Sequence, residues 1–135
     1  MKVAISTNDG KILTPDHFGG GEYFLIYNIT REGYELVEKR KNTSSPEEEH
    51  GSAEKAKGIV AILQDIPVLL GYQFGPNIMR IKNRFLPVIS REKDIKNALK
   101  LLQKNLNIIE EGMGKKGEML VILSNYVVKI VKMRV

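Results

Sequence analysis

The sequence predicts an α/β protein, a mixed β-sheet flanked by helices with a C-terminal β extension. Three observations predict it. Short apolar runs of strand length, KVAIS (2–6), IPVLLG (66–71) and FLPVIS (85–90), show little alternation, as strands covered on both faces should. Segments with apolar residues at helical spacing separate the later runs. A hairpin section follows the first run, so part of the sheet is expected to be antiparallel.

The elements follow in order. KVAIS ends at Asn8-Asp9-Gly10, a turn signal. EYFLIYNI (22–29) and YELVEKRKN (34–42) flank Thr30-Arg31-Glu32-Gly33, which reads as a hairpin connection. Ser52 is placed to cap a helix whose apolar positions are Ala56, Ile59, Val60 and Leu63. Pro76 suits the first turn of a helix over 76–83. Ser90 is expected to cap one long helix striped by Ile95, Leu99, Leu102 and Leu106. Gly112, Gly114 and Gly117 then interrupt the chain, and EMLVILSNYVVKIVKMRV (118–135) reads as a hairpin turning near Ser124-Asn125. The expected division is an α/β domain over 1–112 and a β-prone extension over 113–135.

Composition narrows the function classes. With 135 residues, 42% apolar and 27% charged, the chain can bury a core of its own. It contains no cysteine, which removes disulfides and thiolate metal sites. No apolar run has the length of a membrane span. The opening Met-Lys-Val-Ala-Ile-Ser lacks the apolar region of a secretory signal, so a cytoplasmic location is expected, with no membrane partner. Residues 1–71 carry 8 basic and 11 acidic side chains and residues 72–135 carry 13 and 5, giving net charges of −3 and +8. A basic half can attract a polyanion. Its lysines, however, punctuate a helix and a strand as a solvated face would, which disfavours nucleic acid as the partner.

In sheets of this order, ligands bind beyond the carboxyl ends of the parallel strands. Two loops meet that description. PDHFGGGEYF (15–24) holds one of two histidines beside three glycines, where a ligand can approach the backbone closely. GYQFGPN (71–77) joins a strand to a helix start, where free N–H groups favour an anion.

Several motifs carry a resemblance. MKVAIST opens the chain, and HFGGGEYF (17–24) places Phe24 seven residues beyond His17. Asn42 follows the hairpin, His50-Gly51 precedes the first helix, and Gly71, Gly75, Pro76 and Asn77 form Gly-x-x-x-Gly-Pro-Asn. In order and spacing over about residues 1–105, the chain resembles the dinitrogenase iron–molybdenum cofactor biosynthesis family, the group containing NifX and the C-terminal domain of NifB. That resemblance implies a ribonuclease-H-like (nitrogenase accessory factor-like) sheet. It implies a non-catalytic binding or carrier module for an iron–sulfur or iron–molybdenum cofactor precursor. His17 and His50 would be metal ligands, with Phe18, Gly19, Asn42, Gly71, Gly75 and Asn77 forming the rest of the cofactor site. A cluster would bring its own sulfides, and a protein that delivers or accepts it is implied. Imidazole suits iron.

Each residue also has a structural alternative. His17 could be a turn residue, Phe18, Tyr23 and Phe24 could be core, and Asn42 could bond a turn. Gly75-Pro76-Asn77 could merely start a helix. The chain departs from the family pattern at Gly20 and Gly21, where a basic or small residue is common, and at the bulky, basic NIMRIKNR (77–84). A cofactor-free regulatory or protein-interaction module is the first rival. A ribonuclease-H-like nuclease is the second, but it needs clustered carboxylates, and Asp9, Asp16, Glu22 and Asp65 are not so spaced. The apolar tail either adds strands to its own sheet or pairs with a second chain in a homodimer, the latter being favoured.

Overall fold

The computed structural model describes residues 1–46 and 51–133. Strands β1 (Lys2–Thr7), β2 (Tyr23–Thr30) and β3 (Gly33–Lys41) form an antiparallel meander. Strands β4 (Val68–Gly71), β5 (Leu86–Ser90) and β6 (Met119–Leu123) extend the sheet from β1 in parallel. Strand β7 (Val128–Lys132) returns antiparallel along β6. The resulting sheet is mixed and has the order β3-β2-β1-β4-β5-β6-β7.

Helices cover both faces, which is why the parallel strands are apolar without alternation. Helix α1 (Ala53–Leu63) and the single turn α2 (Ile78–Ile81) lie on one face, where Ala56, Ile59, Leu63 and Ile81 pack with Ala4, Phe24, Leu69 and Phe85. Helices α3 (Ile95–Lys104) and α4 (Leu106–Met113) lie on the other, packed with Ile5, Leu70, Val88 and Val121. Val68, Leu69 and Leu70 thus alternate between two cores while all three are buried. Each such side chain contributes roughly 1.5–3 kcal/mol by leaving water. The segment after residue 113 continues the same sheet, with Val121 and Leu123 fully buried.

Three local readings are corrected. Ser90 does not cap a helix: it ends β5, and its hydroxyl donates to the Glu92 carbonyl. Asp94 caps α3 instead, accepting from the Asn97 N–H at 3.0 Å, because a cap must directly precede the first helical residue. The long helix is two helices, since Asn105 leaves helical geometry (φ −113°, ψ 27°) and its side-chain amide donates to the Leu101 carbonyl. The stripe of Ile95, Leu99, Leu102 and Leu106 is nevertheless buried. The helix expected over 76–83 shrinks to α2, because Ile78, Met79 and Arg80 bond carbonyls three residues back and wind too tightly to propagate an α-helix.

Arg40 ties β3 to the end of α1. Its guanidinium donates to both carboxylate oxygens of Asp65 (2.7 and 2.8 Å), to both of Glu38 (2.8 and 2.9 Å) and to the Ile62 carbonyl (2.7 Å). These bonds hold the Asp65 carboxyl down to about 2. A depressed folded-state value means that the stabilisation is complete above the unfolded value, near 4, and fades as pH falls toward 2. Asp65 is half-exposed, so solvent limits the pair to the order of 1 kcal/mol. Asp65→Asn should therefore be less stable than the wild type in urea unfolding at neutral pH, with the gap closing as pH approaches 2. A gap that does not depend on pH would contradict the assignment.

Candidate functional site

The site begins where β1 ends. The Asp9 carboxylate accepts from the Lys11 and Ile12 N–H groups, which turns the chain and lowers the Asp9 pKa. The chain then crosses to Phe18, which is 3% exposed and stacks between Phe24 (5.4 Å) and Phe74 (5.2 Å). Phe18 anchors the loop, and its neighbours His17 and Gly19 are left nearer the surface.

The two loops singled out in the sequence meet here. The Phe18 N–H donates to the Gln73 carbonyl at 2.9 Å, and the Gln73 side-chain amide donates to the Pro15 carbonyl at 2.7 Å. The glycines make the approach close. A Cβ on Gly71 would touch the Phe18 ring at 3.0 Å, and one on Gly75 would overlap the His17 imidazole, within 2.7 Å of Cγ. A Cβ on Gly21 would come within 2.9 Å of the Thr7 nitrogen.

Asn42 and Lys55 hold the glycine run in place. The Asn42 side-chain amide donates to the Gly19 (2.8 Å) and Gly21 (2.7 Å) carbonyls, and its oxygen accepts from the Ser44 N–H at 3.1 Å. The Lys55 ammonium donates to the Gly19 carbonyl at 2.6 Å and to the Ser44 hydroxyl at 2.8 Å, while the residue is only 3% exposed. Above these contacts lies an open cleft of about 500 Å³, lined by His17, Gly19, Gly20, Asn42, Lys55 and Gln73, with Asp16 and Ser44–Pro46 around them.

The eight sequence-predicted residues therefore separate into groups. His17, Gly19 and Asn42 line the cleft. Gly71 and Gly75 stand behind it, giving room to the Phe18 and His17 rings, and Phe18 itself is core. Asn77 accepts from the Ser52 N–H at 2.9 Å and so ties the second loop to the start of α1. His50 lies outside the described residues. Sequence reasoning missed Lys55, Ser44 and Gln73. Lys55 left one signal, a charged residue one turn before Ile59 on the buried side of an amphipathic helix.

The chain matches the family model described as "Dinitrogenase iron-molybdenum cofactor" over residues 1–105. The chain belongs to that family. The matched span holds every residue of the cleft and ends at Asn105, the break between α3 and α4. A relative named "Protein NifX", from Sinorhizobium fredii (strain NBRC 101917 / NGR234), is 40% identical over 38 residues. That match covers 28% of this chain and 23% of the relative.

The close approach of Gly75 to His17 yields a test within this family member. Gly75→Ala should push the imidazole out of its position while leaving the sheet intact, since the conflict involves the ring of one side chain. Ring-proton resonances of His17 should shift and amide resonances of β4 and β5 should not. Unmoved His17 resonances would show that the ring does not rest on Gly75.

Proposed function

We propose that this chain binds and carries an iron–sulfur or iron–molybdenum cofactor precursor, ligated in the cleft by His17, without catalysing a reaction. Family membership supports a role in cofactor biosynthesis. The observation that carries the finer reading is the seating of an imidazole against a side-chain-free backbone wall, at the rim of an open polar cleft. With the ring seated on backbone at the rim, the cleft beside it stays open to a bulky cargo.

The donor set fits a preassembled cluster better than a bare ion. The chain has no cysteine, and among the described residues no group of three or more His, Cys, Asp or Glu is placed to hold a metal ion. A bare ion needs several protein ligands, whereas a cluster carries its own sulfides and accepts a single terminal imidazole. Gly75 sets where the ring stands, and the Asn42–Lys55 clamp keeps the Gly19 and Gly21 carbonyls turned onto the protein, away from an anionic cargo. The open mouth suits release to an accepting protein. His50 is a candidate second ligand. Of the four carboxylates weighed for a nuclease, Asp9 caps its turn and Asp65 is paired with Arg40, so these two are committed elsewhere.

Anaerobic titration with a cluster donor, followed by visible absorbance, tests this reading. His17→Ala should bind at least about tenfold more weakly, with stability changed by no more than about 0.5–1 kcal/mol. Binding should also weaken on acidification, because a protonated imidazole has no lone pair for iron. Wild-type protein that takes up no cluster would favour a cofactor-free interaction module. Unchanged affinity in His17→Ala would remove that residue from the site.

A further inference from the structure

We propose that the outer edge of β7 pairs with β7 of a second copy of this chain, antiparallel about Ile130, joining two sheets into one. This proposal does not depend on the cargo of the cleft.

Strand β7 is the last in the described sheet, and its backbone register identifies what its outer edge offers. The Ser124 N–H donates to the Val127 carbonyl, and the Met133 N–H to the Glu118 carbonyl, at the two ends of the β6–β7 ladder. In an antiparallel ladder, hydrogen-bonded pairs recur at every second residue. Residues 127, 129, 131 and 133 therefore bond inward to β6. Val128, Ile130 and Lys132 turn their N–H and C=O groups outward. Pairing two copies about Ile130 opposes 130 with 130 and 128 with 132. That register uses every outward group of the strand, in about six hydrogen bonds.

The side chains fit the same register. Half of the exposed large apolar side chains among the described residues fall within 126–131: Tyr126 (95% exposed), Val127, Ile130 (54%) and Val131 (41%). Ile130 and Val131 project from opposite faces, so a cover laid on one face would reach only one of them. A strand added at the edge flanks both. Lysines at an open edge ordinarily deter pairing. Here Lys129 and Lys132 lie on opposite faces, and in a two-fold antiparallel pair opposed residues share a face. They cannot oppose each other; in the register about Ile130, Lys129 meets Val131 and Lys132 meets Val128. The opposite edge of the sheet differs. Strand β3 carries an extra residue at Val37 that breaks its register, together with Glu35, Glu38, Lys39 and Lys41, which protect it from pairing. A second copy is thus an occupant that satisfies the backbone and apolar requirements together while keeping the lysines out of directly opposed positions.

Sedimentation velocity of the full chain over a concentration series tests the pairing. The wild type should be a dimer. Ile130→Pro should be monomeric yet folded, because it removes only an outward donor and leaves the inward ladder to β6. Ile130→Lys should also be monomeric, since it sets two ammonium groups opposite each other at the axis. As the natural chain has no cysteine, Ile130→Cys should be joined to its own copy by a short bismaleimide, and Val37→Cys should not. A wild type that stays monomeric throughout, or a dimer unaffected by both Ile130→Pro and Ile130→Lys, would overturn the proposal.

Discussion

The double hydrogen bond from the Asn42 amide to the Gly19 and Gly21 carbonyls is the constraint on which the candidate site depends. Three consecutive glycines have more backbone freedom to lose on folding than any other tripeptide. Left alone, they would not hold His17 in one place. Phe18 fixes one end of the run by stacking in the core, and Asn42, at the end of β3, fixes the rest. Lys55 adds a contact from α1 to the same Gly19 carbonyl. Three elements distant in sequence thereby converge on one short stretch of main chain. Each neutral bond is worth about 1 kcal/mol net, and together they oppose the entropy of the glycines.

The same clamp divides binding from support. Asn42 lines the cleft, yet its amide hydrogens are spent on the loop and its oxygen on Ser44. Its part in the cleft is to hold the backbone that forms one wall. Gly75 works in a comparable way, since its missing side chain is the space the imidazole occupies. The site is thus made largely of backbone and omitted atoms, with the His17 imidazole at its rim. The apolar, half-exposed β7 lies at the far end of the strand order from β3, while the cleft gathers around the ends of β1 and β3. The cleft and the exposed β7 edge therefore occupy separate parts of one sheet.

Most of the fold was legible because burial imposes a period. The unalternating runs at 66–71 and 85–90 required cover on both faces, and both faces are covered. The Leu99–Leu102–Leu106 stripe located its helical region even though Asn105 divides it, because packing follows the face more than the hydrogen-bond ladder. What sequence missed was local competition: Asp94 against Ser90 for the cap, and tight winding at Pro76–Asn77 against a longer helix. At the site, His17, Gly19 and Asn42 were readable as a motif. The roles of Lys55, Ser44 and Gln73 were not, because each depends on a partner 11 to 58 residues away. Tertiary hydrogen bonds leave no periodic trace.

The most direct measurement of His17 as the point of attachment is pulsed electron paramagnetic resonance on the anaerobically loaded protein. Uniform ¹⁵N-histidine labelling in a His50→Gln background leaves one labelled imidazole in the chain. Ligation by His17 predicts a ¹⁵N hyperfine coupling on the cluster signal that disappears when His17 is also replaced. A cluster signal of full intensity with no ¹⁵N coupling would contradict it.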